Sequence, residues 1–123
     1  MALQDPEEIR ELFSAFGPVS VRRMFGGAGI FVDGVMFALV FDGEIFLKAD
    51  GETLPALEVE GSKPFVYQAK GKQVSLSYWR LPDRLLDDPD ELAKFARGAL
   101  GAAHRAAVKK AKVGRKSAKP GER

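Results

Sequence analysis

The residue types that usually perform covalent chemistry are nearly absent from this chain. It has no Cys, which excludes a thiol nucleophile, a thiolate metal site and a disulfide framework. Its single His, His104, excludes a zinc site built from several imidazoles and leaves one candidate for a histidine general base. His104 falls late in a helical pattern, four residues after Leu100 and beside a basic run. A helix C-terminus favours a partly positive imidazole there, so a structural reading is preferred to a catalytic one. Asp83, Asp87, Asp88, Asp90 and Glu91 crowd together. A paired-acid site needs a cleft, and these acids sit where a helix begins, so capping and the helix dipole account for them. A nucleophile–base pair is therefore hard to assemble, and no catalytic residue, metal or cofactor is expected.

Binding chemistry is better represented. Gly26-Gly27-Ala28-Gly29 could cradle a phosphate, but it lacks the strand–loop–helix setting and the Lys-Ser/Thr of a P-loop. A hairpin turn needing positive φ is the simpler reading. A nucleotide or other small-molecule module using this turn and nearby arginines is the alternative function. Arg22 and Arg23 are adjacent in a strand-like run, so they point to opposite faces. One is expected to lie over the sheet and pair with an acid, leaving the other for a partner. Lys48 and Arg80 could add positive charge near the same sheet. Trp79 alternates with Ser75 and Ser77; an aromatic on a polar face can anchor an interface, so Arg22, Arg23 and Trp79 are the protein-interaction candidates. The other aromatics read as core.

The elements that must position these residues are legible. Asp5-Pro6-Glu7-Glu8 opens a helix, with a cap, a proline at the first position and acid in the first turn. Ile9, Leu12, Phe13 and Phe16 then form one apolar stripe, which Gly17-Pro18 ends. From residue 19 the period becomes two. Strands are predicted over Val19–Phe25, Ala28–Val32, Val35–Phe41 and Glu44–Ala49, separated by Gly26-Gly27, Asp33-Gly34 and Asp42-Gly43. Asp–Gly between apolar runs is a strong hairpin signal, because a type I′ turn needs positive φ at both central residues. Val35–Phe41 is apolar on both alternating sets, as a central strand covered on both faces would be. Glu44–Ala49 reads as half-exposed. Glu52–Glu60 could form a short helix with Pro55 near its first turn. Phe65–Ala69 and Gln73–Trp79 pair as a hairpin across Lys70-Gly71-Lys72. Asp88-Pro89-Asp90-Glu91 repeats the opening device, and a helix carrying Leu92, Phe95, Ala96, Ala99, Ala103, Ala106 and Ala107 follows. The pattern predicts an α+β fold, an antiparallel sheet of five to six strands (meander plus hairpin) with N-terminal and C-terminal helices packed against it.

The 123 residues are one domain's worth of chain, 46% hydrophobic and 29% charged, as in an ordinary globular protein. The longest apolar run, Val35–Phe41, is far shorter than the roughly 20 residues a membrane span needs. Acid stands where a signal peptide needs base. A cytoplasmic protein without a membrane partner is expected. The net charge of +2 conceals an asymmetry: residues 109–123 carry Lys109, Lys110, Lys112, Arg115, Lys116, Lys119 and Arg123 against Glu122 alone. Residues 1–108 are accordingly mildly acidic, which argues against a broad DNA-binding face on the body. The sequence divides into a domain over 1–108 and a basic tail over 109–123, disordered past about Lys112 because it has little to bury. The seven basic side chains of that tail are candidates for weak, nonspecific DNA contact.

Arg22-Arg23-Met24-Phe25-Gly26-Gly27, followed by Gly29-Ile30-Phe31-Val32-Asp33-Gly34-Val35-Met36-Phe37-Ala38-Leu39-Val40, is more specific than any pattern above. With Phe46-Leu47-Lys48-Ala49-Asp50, Pro64-Phe65, Tyr78-Trp79, Pro82 and the Glu91–Arg97 helix, it resembles the N-terminal domain of the TfoX/Sxy family over roughly residues 7–107. That family consists of bacterial regulators of competence genes. The resemblance implies a compact α+β domain and a role in transcription regulation alongside a cyclic-AMP receptor-type protein. Full-length members carry a second, helical domain where this chain has its basic tail, so a standalone form is expected. The expected function is a non-enzymatic regulatory or protein-interaction domain, with a transcription regulator or a polymerase component as the partner.

Overall fold

The computed structural model describes residues 5–24, 26–69 and 71–117; the side chains of 67–69, 72–76 and 111–117 lie outside that description. In chain order it holds α1 (Pro6–Leu12), β1 (Ser20–Met24), β2 (Gly27–Val32), β3 (Val35–Phe41), β4 (Glu44–Lys48), α2 (Leu54–Val59), β5 (Pro64–Ala69), β6 (Lys72–Arg80), a 3₁₀ turn over Asp83–Asp87, and α3 (Pro89–Ser117). Each predicted strand is present. Phe25, the predicted end of the first, lies outside the described residues.

The local devices act as their chemistry requires. Asp5 caps α1 by accepting from the Glu7 N–H at 3.0 Å, and Asp88 caps α3 by accepting from the Glu91 N–H at 3.2 Å. Asp33-Gly34 and Asp42-Gly43 have positive φ at both residues, 50° and 79° in one turn and 54° and 77° in the other, so both hairpins close as type I′ turns. At the preceding hairpin the two glycines divide the work. Gly26 has a φ of 76°. Gly27 already belongs to β2, and a Cβ there would collide with the Val40 carbonyl of β3. Gly27 thus answers to the close approach of two strands and not to the turn.

All six strands form one antiparallel sheet in the order β1-β2-β3-β4-β6-β5. The first four are a meander. The last two form a hairpin whose second strand inserts beside β4, which leaves β1 and β5 as the edges. α1 and α3 cover one face only. Between them and the sheet lies the main core, with Ile9, Phe13, Ile30, Phe37, Leu85 and Ala96 fully buried. The Phe37 ring meets Phe13 edge-on at 5.6 Å and Phe16 at 5.2 Å. On the opposite face Leu39, Phe46, Phe65 and Tyr78 form a second, smaller cluster with Met36 and Phe41 packed against it.

Three predicted details change. The alternation along β3 breaks at Phe37, because Ile30 pairs with Ala38 and Phe31 with Met36. Phe37 is the extra residue of a β-bulge, so Phe37 and Ala38 both join the helix-side core while Met36, Leu39 and Phe41 face the other way. β4 is less exposed than its alternation suggests, since Phe46 is buried against Phe65 with ring centroids 4.9 Å apart. α3 runs on to Ser117, past Lys112, the predicted limit of order. Ala111, Lys112, Arg115 and Lys116 are good helix formers, and cations suit a helix C-terminus. Lys119 and Arg123 lie outside the described residues.

Candidate interaction surface

The face that α1 and α3 leave uncovered begins at β1. Alternation aims Val21 at the core and Arg22 away from it. The Arg22 guanidinium lies 4.8 Å from the centroid of the Phe31 ring on β2, a cation–π contact that uses the ring's negative face. Arg22 remains exposed and Phe31 is buried beneath it. Next to this pair is Gly29. A Cβ there would sit 2.7 Å from Met36 Sδ, 2.8 Å from Phe31 Cε1 and 3.2 Å from Met24 Sδ. The missing side chain thus makes room for two methionine thioethers and an aromatic ring, groups that are soft and repack readily.

Across the sheet the same face continues through Leu39, Phe46 and Phe65 to Tyr78. The Tyr78 hydroxyl donates to the Met36 carbonyl at 3.5 Å, and burial pushes its phenol up to about 12. Lys48 lies over the Tyr78 ring at 5.2 Å. Its ammonium is held below the usual lysine range by burial, with the charge of Asp50 opposing. One cation therefore stands over an aromatic ring towards each side of the apolar strip.

Arg23 points to the helix side, the side of Val21. It reaches a cleft of about 440 Å³ whose lining includes Val21, Gly26, Gly27, Val40 and Asp42. The expectation that Arg22 or Arg23 pairs with an acid is not met: among the described residues neither has a carboxylate within ion-pair distance. The arginines nearer the other end of the sheet do. Arg80 pairs with Glu44 at 3.3 Å and Asp83 at 3.1 Å. Arg84 grips Glu60 through two hydrogen bonds of 2.9 and 2.7 Å, which hold that carboxyl below the usual range. Arg105 on α3 holds Asp50 at 2.6 and 3.2 Å, and its hydrogen bond lowers the Asp50 carboxyl while the N–H groups of Glu52 and Thr53 assist. These side chains close the fold. Among the described residues Arg22 and Arg23 take no part in such pairs.

Trp79 stands opposite Leu47 in the β4–β6 register, on the helix side and half-buried, so it does not share a face with Arg22. His104 is exposed on α3. Asp88 and Glu91 are engaged as cap and ion-pair partner. Among the described residues no group of His, Asp and Glu could hold a metal ion, and no helix is long and apolar enough to cross a membrane. Lys109 and Lys110 are exposed on α3; Lys112, Arg115 and Lys116 continue it as backbone. Sequence reasoning singles out Arg22 but misses its neighbours Phe31, Met24 and Met36. The period-two offset from Arg22 to Met24 is a usable signal, whereas the meeting of both methionines over Gly29 depends on strand register.

Residues 11–103 match the model of the TfoX N-terminal domain. The chain belongs to the TfoX N-terminal domain family. The match spans all six strands and stops at Ala103, the last fully packed residue of α3, so the basic continuation of the helix lies beyond it. This TfoX N-terminal domain is 28% identical over 94 residues to Protein Sxy of Escherichia coli K12, covering 76% of this chain and 45% of that protein. It is 29% identical over 84 residues to DNA transformation protein TfoX1 of Aliivibrio fischeri, covering 68% of this chain and 40% of that protein. The chain thus spans less than half the length of the curated relatives it matches.

Proposed function

We propose that this chain is a non-enzymatic regulatory domain that acts by binding another protein, a transcription regulator or a polymerase component, in competence-type control of transcription. Its family and a relative named as a DNA transformation protein support the setting. One observation carries the mode of action: Arg22 is held over Phe31 on the helix-free face, beside two methionines and, among the described residues, without a carboxylate partner. Arginine, aromatic and methionine side chains are the types enriched where partners dock. Arg22→Ala, Arg23→Ala and Trp79→Ala, made singly and assayed against the partner recovered from the native cell, test the reading. At least one is expected to weaken binding by about 2 kcal/mol with its melting temperature unchanged. Binding unaffected by all three would remove this surface from the function.

The basic segment adds a second, weaker contact in this proposal. Lys109, Lys110, Lys112, Arg115, Lys116, Lys119 and Arg123 can neutralise at most about seven phosphates, so duplex DNA affinity should fall with salt at a log–log slope no steeper than about −6. Changing all seven to Gln should abolish that affinity; an unchanged affinity would refute it.

The cleft beside Arg23 favours one other reading, a small-molecule or nucleotide site. Its volume of about 440 Å³ is within the range of ligand pockets. Release of a nucleotide on denaturing the purified protein would place this reading first.

A further inference from the structure

The two edges of the sheet differ in a way that suggests how a partner docks. β5 starts at Pro64, which has no N–H to offer, and its register shifts between Pro64 and Val66. Proline and irregularity are the usual means of blunting an edge. β1 has neither. Its five residues pair with β2 in unbroken register, Ser20 with Phe31 through Met24 with Gly27. Among the described residues no strand or loop takes up the backbone groups on its outer side.

On that open edge stand Arg22 and Arg23, one on each face, both exposed and without a carboxylate partner among the described residues. They are flanked by half-buried Val21 and Met24. We propose that the free edge of β1 is a docking site for an extended, acidic segment of a partner protein, which joins the sheet as a further strand and presents two adjacent carboxylates to Arg22 and Arg23. This deepens the reading of the domain as a protein-binding module and rests on it.

The recognition pattern follows from strand geometry. Residues directly opposite on neighbouring strands share a face and lie within about 5.5 Å at Cβ. An acid opposite Arg22 and an acid opposite Arg23 are therefore consecutive in the added strand. The positions on either side face Val21 and Met24 and favour apolar residues. The pattern is apolar–acid–acid–apolar, and it is the same for parallel and antiparallel addition. Backbone hydrogen bonds supply affinity, and the arginines select charge. A second copy of this chain is the wrong occupant. Antiparallel pairing of all five β1 residues sets Arg22 against Arg22 of the other copy, and a one-residue slip sets it against Arg23 in one direction and diagonally across from Arg23 in the other; like charges so placed are destabilising.

The probe is a fluorescein-labelled peptide of about ten residues, alternating Thr and Val around a central Glu-Glu pair. The full chain is titrated into it and anisotropy is read, with amide hydrogen exchange reporting the contact. The Glu-Glu peptide should bind at least about tenfold more tightly than its Lys-Lys counterpart, slow the exchange of β1 amides, and lose binding when its backbone is N-methylated. The double variant Arg22→Glu, Arg23→Glu should reverse the preference, and Arg22→Gln, Arg23→Gln should abolish it, both with circular dichroism unchanged. Equal binding of the two peptides, indifference to N-methylation, or protection confined to other strands would overturn the proposal. So would a wild-type chain that binds neither peptide while the Gln variant self-associates, since the arginines would then only guard the edge. A native partner that protects the helix-free face but not the β1 edge would overturn this docking mode and leave the protein-binding reading intact; failure of any protein to bind would remove both.

Discussion

Both faces of the sheet are apolar, but their apolar residues are held by different means. Under α1 and α3, Phe13, Ile30 and Phe37 are sealed by helices on one side and strands on the other. On the helix-free face Phe46, Phe65 and Tyr78 are covered only by one another and by neighbouring strands, with Phe41 set against Phe65 at 5.3 Å. Met24, Met36 and Phe41 remain half-buried at its surface. The first arrangement devotes its side chains to stability. The second keeps its residues in place while leaving Met24, Met36 and Phe41 in part, and the Arg22 guanidinium, within reach of solvent. A small domain can separate holding its fold from offering a surface by placing the two tasks on opposite sides of one sheet.

Truncations test the contrast most strongly. Phe37→Ala should cost about 3–5 kcal/mol in chemical denaturation, because it opens a cavity enclosed by two helices and the bulge. Phe46→Ala on the other face should cost less, about 3 kcal/mol, since Phe65 and solvent can move into the gap. Equal losses would mean that the helix-free face supports the fold as strongly as the covered one does.

Gly27 and Gly29 refine the comparison at positions two residues apart. Gly27→Ala drives a methyl into the Val40 carbonyl, which belongs to backbone and cannot turn away, so a loss of about 1–3 kcal/mol is expected. Gly29→Ala meets the ends of Met24, Met36 and Phe31. The thioethers can rotate, and the substitution also reduces unfolded-state freedom, so the melting temperature should fall less. A larger loss at Gly29 would show that the methionine site is rigid.

The Tyr78 phenol supplies a pH test of the same face. Unfolding returns it to its ordinary value of 10.0, whereas burial holds it at about 12. Between those values the unfolded chain has lost a proton that the folded chain keeps. Stability must then fall as pH rises through this window, by about 2 kcal/mol at most after allowance for the ring's partial contact with solvent. Denaturation of wild type and Tyr78→Phe at about pH 8 and pH 11 isolates the effect; parallel losses would place the phenol in solvent. The smallest change is expected at the surface itself. Arg22→Ala should alter stability by about 0.5 kcal/mol, the size of an exposed cation–π contact, and a drop of several degrees in melting temperature would move Arg22 from the proposed docking surface to the fold.

The strands, the capped helix starts and the type I′ turns are legible in the amino-acid sequence, because each rests on the conformational preferences of a few neighbouring residues. Asp33-Gly34 and Asp42-Gly43 tolerate positive φ, and Asp5 and Asp88 offer an oxygen to free N–H groups wherever the chain goes. The candidacy of Arg22 and Arg23 is legible too, since two adjacent charges in a strand must face opposite ways. Tertiary structure alone decides the rest. The insertion of β6 between β4 and β5, the bulge that turns Phe37 into the core and the capture of Asp50 by Arg105 55 residues away depend on which distant segments meet. Local pattern sets what each segment can become, but loop closure and packing against the whole set its neighbours, and so determine which charges find partners within the fold.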